Sequence, residues 1–181
     1  PSLFLYGSND GKNLNLDKLE ELFKSVSKII KPKGKLFIGT FPSEVRPEHI
    51  NEDTVYLLKK YADNDNITIG VQSGSEKILN LCNRQHTIRD VYNAVELLTK
   101  ANFKVNLDFI FGLPYETEKD ILQTKNLIED LISKYNVRIH PHIFIPLPKT
   151  KFANFKVSDL KITDYLLKLK VRGALYRNFL S

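Results

Sequence analysis

Three side chains in this sequence have the types and spacing to hold a metal ion. His140 and His142 flank Pro141, and on an extended strand residues i and i+2 share one face. With Asp108 as a third donor they make a two-imidazole, one-carboxylate set, which a metal-dependent barrel hydrolase would use to activate water on zinc. A second polar group, Gln72, Ser73 and Arg84, lies in and after the turn Gly70-Val71-Gln72-Ser73-Gly74-Ser75. Gly74 lets the chain turn tightly where the amide and the serines offer hydrogen bonds. The third group is the run Asp108-Phe109-Ile110-Phe111-Gly112-Leu113-Pro114-Tyr115-Glu116-Thr117. Gly112 leaves room for a ligand beside the backbone, and Thr117 with Asp120 forms a helix-capping pattern. Cys82 is the only cysteine. That excludes a disulfide within the chain, a zinc finger, and an iron–sulfur cluster held by this chain alone.

The elements that must position these residues follow from periodicity. Leu3 to Tyr6 is a short apolar run. Leu16, Leu19, Leu22, Phe23, Val26, Ile29 and Ile30 recur at helical spacing after Asn15 or Asp17, either of which suits a cap, and Pro32 and Gly34 stop that helix. Strands are predicted over roughly 36–41, 67–72, 105–111 and 138–145. Helices are predicted over about 52–61, 87–101 and 118–135, with a closing helix over roughly 159–179. Strands alternating with helices of this length call for parallel βαβ units. With short connections and no low-complexity linker, one domain over 1–181 is the economical reading.

Three of the strands do not read as ordinary parallel core, which should be apolar almost throughout. Ile67, Ile69 and Val71 oppose Thr68, Gly70 and Gln72; Val105, Leu107, Phe109 and Phe111 oppose Asn106, Asp108 and Ile110; Ile139, Pro141, Ile143 and Ile145 oppose Arg138, His140, His142 and Phe144. If the apolar faces pack under helices, amide, carboxylate, guanidinium and imidazole line a shared interior. Such groups are expensive to bury unpaired, which favours a polar ligand there. An open sheet with its polar face in water would alternate too, and Asp108 can equally be read as the partner of Arg138 in an interior ion pair.

Composition is that of an ordinary folded protein, with 42% hydrophobic and 27% charged residues. The formal net charge of +6 is compatible with an anionic partner such as nucleic acid, but the lysines are scattered singly, as solvated helix faces require. No apolar run approaches the ~20 residues of a membrane span. No membrane association is expected, and with no signal peptide visible the expected compartment is cytoplasmic. The chain begins at Pro1 and contains no methionine, so it is expected to be processed or cut from something longer.

In this order and spacing, GVQSGS, NRQHT and DFIFGLPYET resemble the second half of a radical SAM core. The branch is that of tRNA methylthiotransferases, Elongator-type enzymes and oxygen-independent coproporphyrinogen oxidase. GTFPSEVRPEH at 39–49 and HPHIFIPLPKT at 140–150 resemble proteins that join a cobalamin-binding domain to a radical SAM domain. The resemblance, over about 7–150, implies an α/β fold, an incomplete (β/α) TIM-type barrel with parallel strands, beginning after the first barrel strand with Leu3 to Tyr6 in or just beyond the second. It implies that Gln72, with Ser73 beside it, meets the ribose or methionine part of S-adenosylmethionine, that Arg84 pairs with its carboxylate, and that Asp108 accepts from its ribose hydroxyls. Ile110 and Gly112 match the element that packs beside the adenine, while Arg138, His140 and His142 would face substrate or cofactor. No catalytic residue of this chain is singled out. Tyr115 stands where these families usually carry glycine, and the glutamate expected after the third strand is matched only by the displaced Glu44.

The implied enzyme uses a [4Fe–4S] cluster, whose CxxxCxxC ligands would lie upstream in the same protein, to generate a 5′-deoxyadenosyl radical. An electron donor would serve the cluster, and an attached cobalamin domain would suggest methyl transfer. This chain alone would be inactive, and its polar column suits a small-molecule or an RNA substrate. A non-catalytic half-barrel that binds a nucleotide or a partner chain is the remaining alternative.

Overall fold

The computed structural model describes residues 2–31, 33–156 and 162–176. Its elements, in chain order, are α1 (Leu16–Ile30), α2 (Glu52–Tyr61), β1 (Asn66–Gln72), α3 (Glu76–Leu81), α4 (Ile88–Lys100), β2 (Lys104–Phe111), α5 (Glu118–Lys134), β3 (Val137–Ile143) and α6 (Thr163–Val171). The strands are parallel and pair in the order β1-β2-β3. The described residues form two compact units, one from 1–70 and 89–105, the other from 71–88 and 106–181.

In the first unit the helix starts follow their caps. Asn15 accepts from the Lys18 N–H at the start of α1, so of the two candidate caps Asn15 is the one used. Asn51 and Thr54 form a reciprocal capping box on α2. Leu19 and Phe23 of α1 are buried, with Phe4 edge-on to Phe23 at 6.3 Å between ring centroids. Leu3–Leu5 is a single 3-10 turn rather than part of a strand, because its role is to deliver Phe4 to that contact. Lys60 Nζ and the Tyr61 hydroxyl of α2 both donate to Glu20 of α1.

The strand predicted over 36–41 is not formed. Its would-be ladder donors bond to side chains: the Leu36 N–H to Asp63 Oδ2 at 2.8 Å and the Ile38 N–H to Asn64 Oδ1 at 2.9 Å. Gly39 then adopts φ +67°, a left-handed conformation that ends extended structure. What remains beside β1 is a short parallel contact, with the Gly39 carbonyl accepting from Thr68 and Val45 bridged to Ile69. The displaced Glu44 reaches inward here: its carboxylate occupies the space a side chain at Gly70 would take.

The second unit contains a helix that the periodicity did not announce, α3. In this unit the apolar row of β2, Leu107, Phe109 and Phe111, is fully buried, as are Ile128 and Leu131 of α5 and Ile139 of β3. β3 ends at Ile143 rather than 145, although the Phe144 N–H still donates to the Phe111 carbonyl at 2.8 Å. The closing helix is shorter than expected. Its described part is α6, ending at Val171, after which Leu175 bridges Ile139 in parallel. The remainder of the expected 159–179 span, like Pro32, lies partly outside the described residues. Among the described residues, no helix is long and apolar enough to cross a membrane.

One contact sets how closely α5 approaches the turn after β1. A Cβ built on Gly74 would lie 2.6 Å from the Thr124 Cα and 2.8 Å from the Gln123 carbonyl oxygen. Both are backbone atoms and cannot step aside. Gly74→Ala is therefore expected to destabilise the fold by about 1–3 kcal/mol, the range for overpacking a filled site. A urea melt with an unchanged midpoint would contradict the assignment.

Candidate functional site

The polar row of β2 is buried in the second unit. Asn106 is buried and Asp108 is only 6% exposed. A buried carboxylate must find partners, and β3 supplies them: His140 Nδ1 lies 3.0 Å from Asp108 Oδ1, and His142 Nε2 lies 3.8 Å from Asp108 Oδ2. The two imidazoles pack edge-to-face with centroids 4.3 Å apart, and Tyr176 stands edge-on to His140 at 5.7 Å. Period-two alternation puts both histidines on one face of β3. Arg138 belongs to that row, but it sits at the strand's entry end and is exposed. The interior partners of Asp108 are the histidines, not Arg138.

Gln72 ends β1, buried, in the left-handed region at φ +70°. For a residue with a side chain this costs about 1–2 kcal/mol, so the surrounding turn must impose it. The turn is held from two sides. His86 Nε2 donates to the Val71 carbonyl at 3.1 Å, which fastens the segment carrying Arg84. Thr124 Oγ1 accepts from the Gly74 N–H at 2.9 Å. Ser73 is fully buried, its hydroxyl accepting from the Ser75 N–H and 3.4 Å from the Thr124 hydroxyl. Its side chain belongs to the turn itself. Arg84 is half-buried, with its N–H donating to the Leu79 carbonyl. Cys82 caps the C-terminus of α3, and burial pushes its thiol above the ordinary value.

The capping pattern at Thr117 and Asp120 is present as a full capping box on α5, and it extends further than a cap. Asp120 also accepts from the Ser75 hydroxyl at 2.7 Å and from Lys77 Nζ at 2.6 Å. Burial raises its carboxyl, but the hydrogen bonds from Lys77, Ser75 and Thr117 outweigh that and leave it well below the usual range. One buried carboxylate thus fastens the turn after β1 to the start of α5.

Beyond Ile110, which is partly exposed, the chain leaves β2 through Gly112 at φ +82° and Tyr115 at φ +64°. The second value explains why glycine suits position 115; here tyrosine holds it with its ring edge-on to Phe155. Glu116 is a further buried-site candidate that the strand and turn motifs do not single out. Its Oε2 accepts from the Gly112 N–H at 2.7 Å, while Oε1 is buried without a hydrogen-bond partner. Burial lifts this carboxyl to about 7, against hydrogen bonds from the Gly112 and Leu113 amides. Only its place four residues after a strand-end glycine, within reach of that glycine's amide, could have signalled it.

A parallel β1-β2-β3 sheet accompanied by helices is the fold class of an incomplete (β/α) barrel. Residues 7–128 match the Radical SAM superfamily, and the chain belongs to that family. The tRNA-2-methylthio-N(6)-dimethylallyladenosine synthase of Pelagibacter ubique is 40% identical over 114 residues, which cover 62% of this chain and 25% of that protein. The Escherichia coli coproporphyrinogen III oxidase HemN, a radical SAM enzyme, superposes with a TM-score of 0.65 at 20% identity, over 88% of this chain and 38% of that one. The Kitasatospora setae methyltransferase TsrM, solved with cobalamin and a [4Fe–4S] cluster bound, gives 0.58 at 14% identity, over 76% and 27%. These likenesses show the fold class, α/β with the parallel strands of an incomplete (β/α) barrel. The chain spans about a quarter of the length of the Pelagibacter relative.

The raised carboxyl of Glu116 makes stability fall with pH. Between the ordinary value of 4.5 and about 7 the folded chain keeps a proton that the unfolded chain releases, so each step up in pH disfavours folding until both states are ionised. Glu116→Gln keeps the acceptor for Gly112 and removes the titration. Its stability relative to wild type is expected to be level below pH 4.5, to rise between 4.5 and 7, and to stay constant above. Urea melts across pH 4–8 read this directly, and a pH-independent difference would refute it.

Proposed function

We propose that this chain is the S-adenosylmethionine-holding portion of a radical SAM enzyme. The observation that carries the reading is the buried Asp108 on β2, a strand inside the family match. A carboxylate there suits a ligand's paired hydroxyls, and the Arg84 guanidinium suits a ligand's carboxylate. Gln72 offers an amide at the end of β1, with Ser73 holding the turn that aims it. Ile110 gives an apolar surface for a base, and Gly112, its N–H held by Glu116, adds no side chain beside it. Arg138 stands at the entry end of the row that His140 and His142 continue.

S-adenosylmethionine bound there would supply a 5′-deoxyadenosyl radical once reduced by a [4Fe–4S] cluster. The single cysteine of this chain does not fit such a cluster, which takes thiolates from several cysteines. Ligands for such a cluster would have to come from outside these 181 residues. The chain's own part is therefore to bind and orient. For the whole protein we infer a cytoplasmic enzyme with an electron donor, a small-molecule or RNA substrate, and cobalamin-assisted methyl transfer. The last rests on the resemblance of the 39–49 and 140–150 segments to cobalamin-linked members of the family.

Calorimetric titration of the intact, cluster-loaded protein with S-adenosylmethionine tests the assignment without reference to turnover. Asp108→Ala and Arg84→Ala are each expected to weaken binding at least tenfold. Affinity unchanged in both variants would overturn it.

A further inference from the structure

The structure holds a second chemistry in the same unit. Asp108 is buried, yet among the described residues neither group within ion-pair distance of it is a permanent cation; both are imidazoles, from His140 and His142. A buried carboxylate is stable only when its charge is matched. The ligand atoms of Asp108, His140 and His142 all lie within 4.8 Å of one another. A tetrahedral zinc site with bonds of about 2.0–2.1 Å places its ligands about 3.3 Å apart; here His140 Nδ1 stands 3.0 Å from Oδ1 and His142 Nε2 3.8 Å from Oδ2, so closing the set on one carboxylate oxygen takes a side-chain adjustment.

The adjustment needed falls where the structure can supply it. The His140 side chain is only 12% exposed and lies between Tyr176 and His142. The His142 side chain is 39% exposed and can swing toward the carboxylate. Pro141 between them fixes the backbone, which holds the two imidazoles on one face of β3.

We propose that Asp108, His140 and His142 form a binding site for one divalent first-row transition metal ion. Two imidazoles and one carboxylate select zinc, iron(II), cobalt(II) or nickel(II). They do not suit magnesium or calcium, which prefer all-oxygen sites, or copper(I), which prefers sulfur. Three protein donors leave at least one coordination position for water or a ligand. The proposal does not rest on the S-adenosylmethionine reading, although both involve Asp108.

Cobalt(II) is the probe, added to the intact protein without S-adenosylmethionine. The stoichiometry is taken from equilibrium dialysis and the coordination from the visible difference spectrum against each variant. Wild type is expected to take up one more cobalt ion per chain than either His140→Ala or His142→Asn, with an imidazole–carboxylate spectrum in the difference. His142 is less buried than His140, so His142→Asn is the milder change and remains informative if His140→Ala fails to fold. Equal uptake by wild type and a folded His142→Asn overturns the site, as does no uptake at all. Cobalt uptake is measured without S-adenosylmethionine, and the calorimetry described above is measured without added metal. Either reading can therefore fail while the other stands.

Discussion

A strand buried on both faces has no place for an ionised side chain unless its neighbours are built to receive it, and Asp108 imposes that demand on the second unit. One face of β2 is apolar and fully buried, and the opposite face carries a carboxylate that stays below a tenth exposed. Of the two strands that flank β2, β3 is the one whose side chains meet that carboxylate. β3 therefore carries histidines at alternate positions rather than the branched hydrophobes that normally fill a small barrel. A ligand on that face would have to satisfy, or share, that same carboxylate.

A second carboxylate does the mechanical work. Asp120 gathers hydrogen bonds from Ser75, Lys77 and Thr117, so the turn after β1 and the first turn of α5 are one hydrogen-bonded body. Gly74, pressed against the α5 backbone, lets them meet. The left-handed Gln72 is affordable only because its successors are fastened this way, with His86 holding the Val71 carbonyl behind it. The two carboxylates divide the roles: one is bound up entirely in structure, the other faces groups that can exchange partners.

The first unit shows the same economy with different means. Asp63 and Asn64 replace a ladder strand by accepting the Leu36 and Ile38 amides on their side chains. The segment from 36 to 45 can then turn at Gly39 and bring Glu44 to the flank of Gly70.

Much of this was legible in the residues alone. Helical spacing with Asn15 and Thr117 ahead of it located two helix starts, since capping is a local interaction between neighbours in sequence. Period-two alternation picked out β1, β2 and β3 and their polar faces, and the order of the motifs pointed to the family the chain belongs to. Tertiary structure decided what local pattern cannot encode. It chose His140 and His142 over Arg138 as partners of Asp108, because strand register, not residue type, sets who lies opposite whom. It dissolved the 36–41 strand, because side-chain acceptors nearly thirty positions away took its amides. It half-buried Glu116 against Gly112, and the shift of that carboxyl depends on the solvent it loses, which only the folded chain determines.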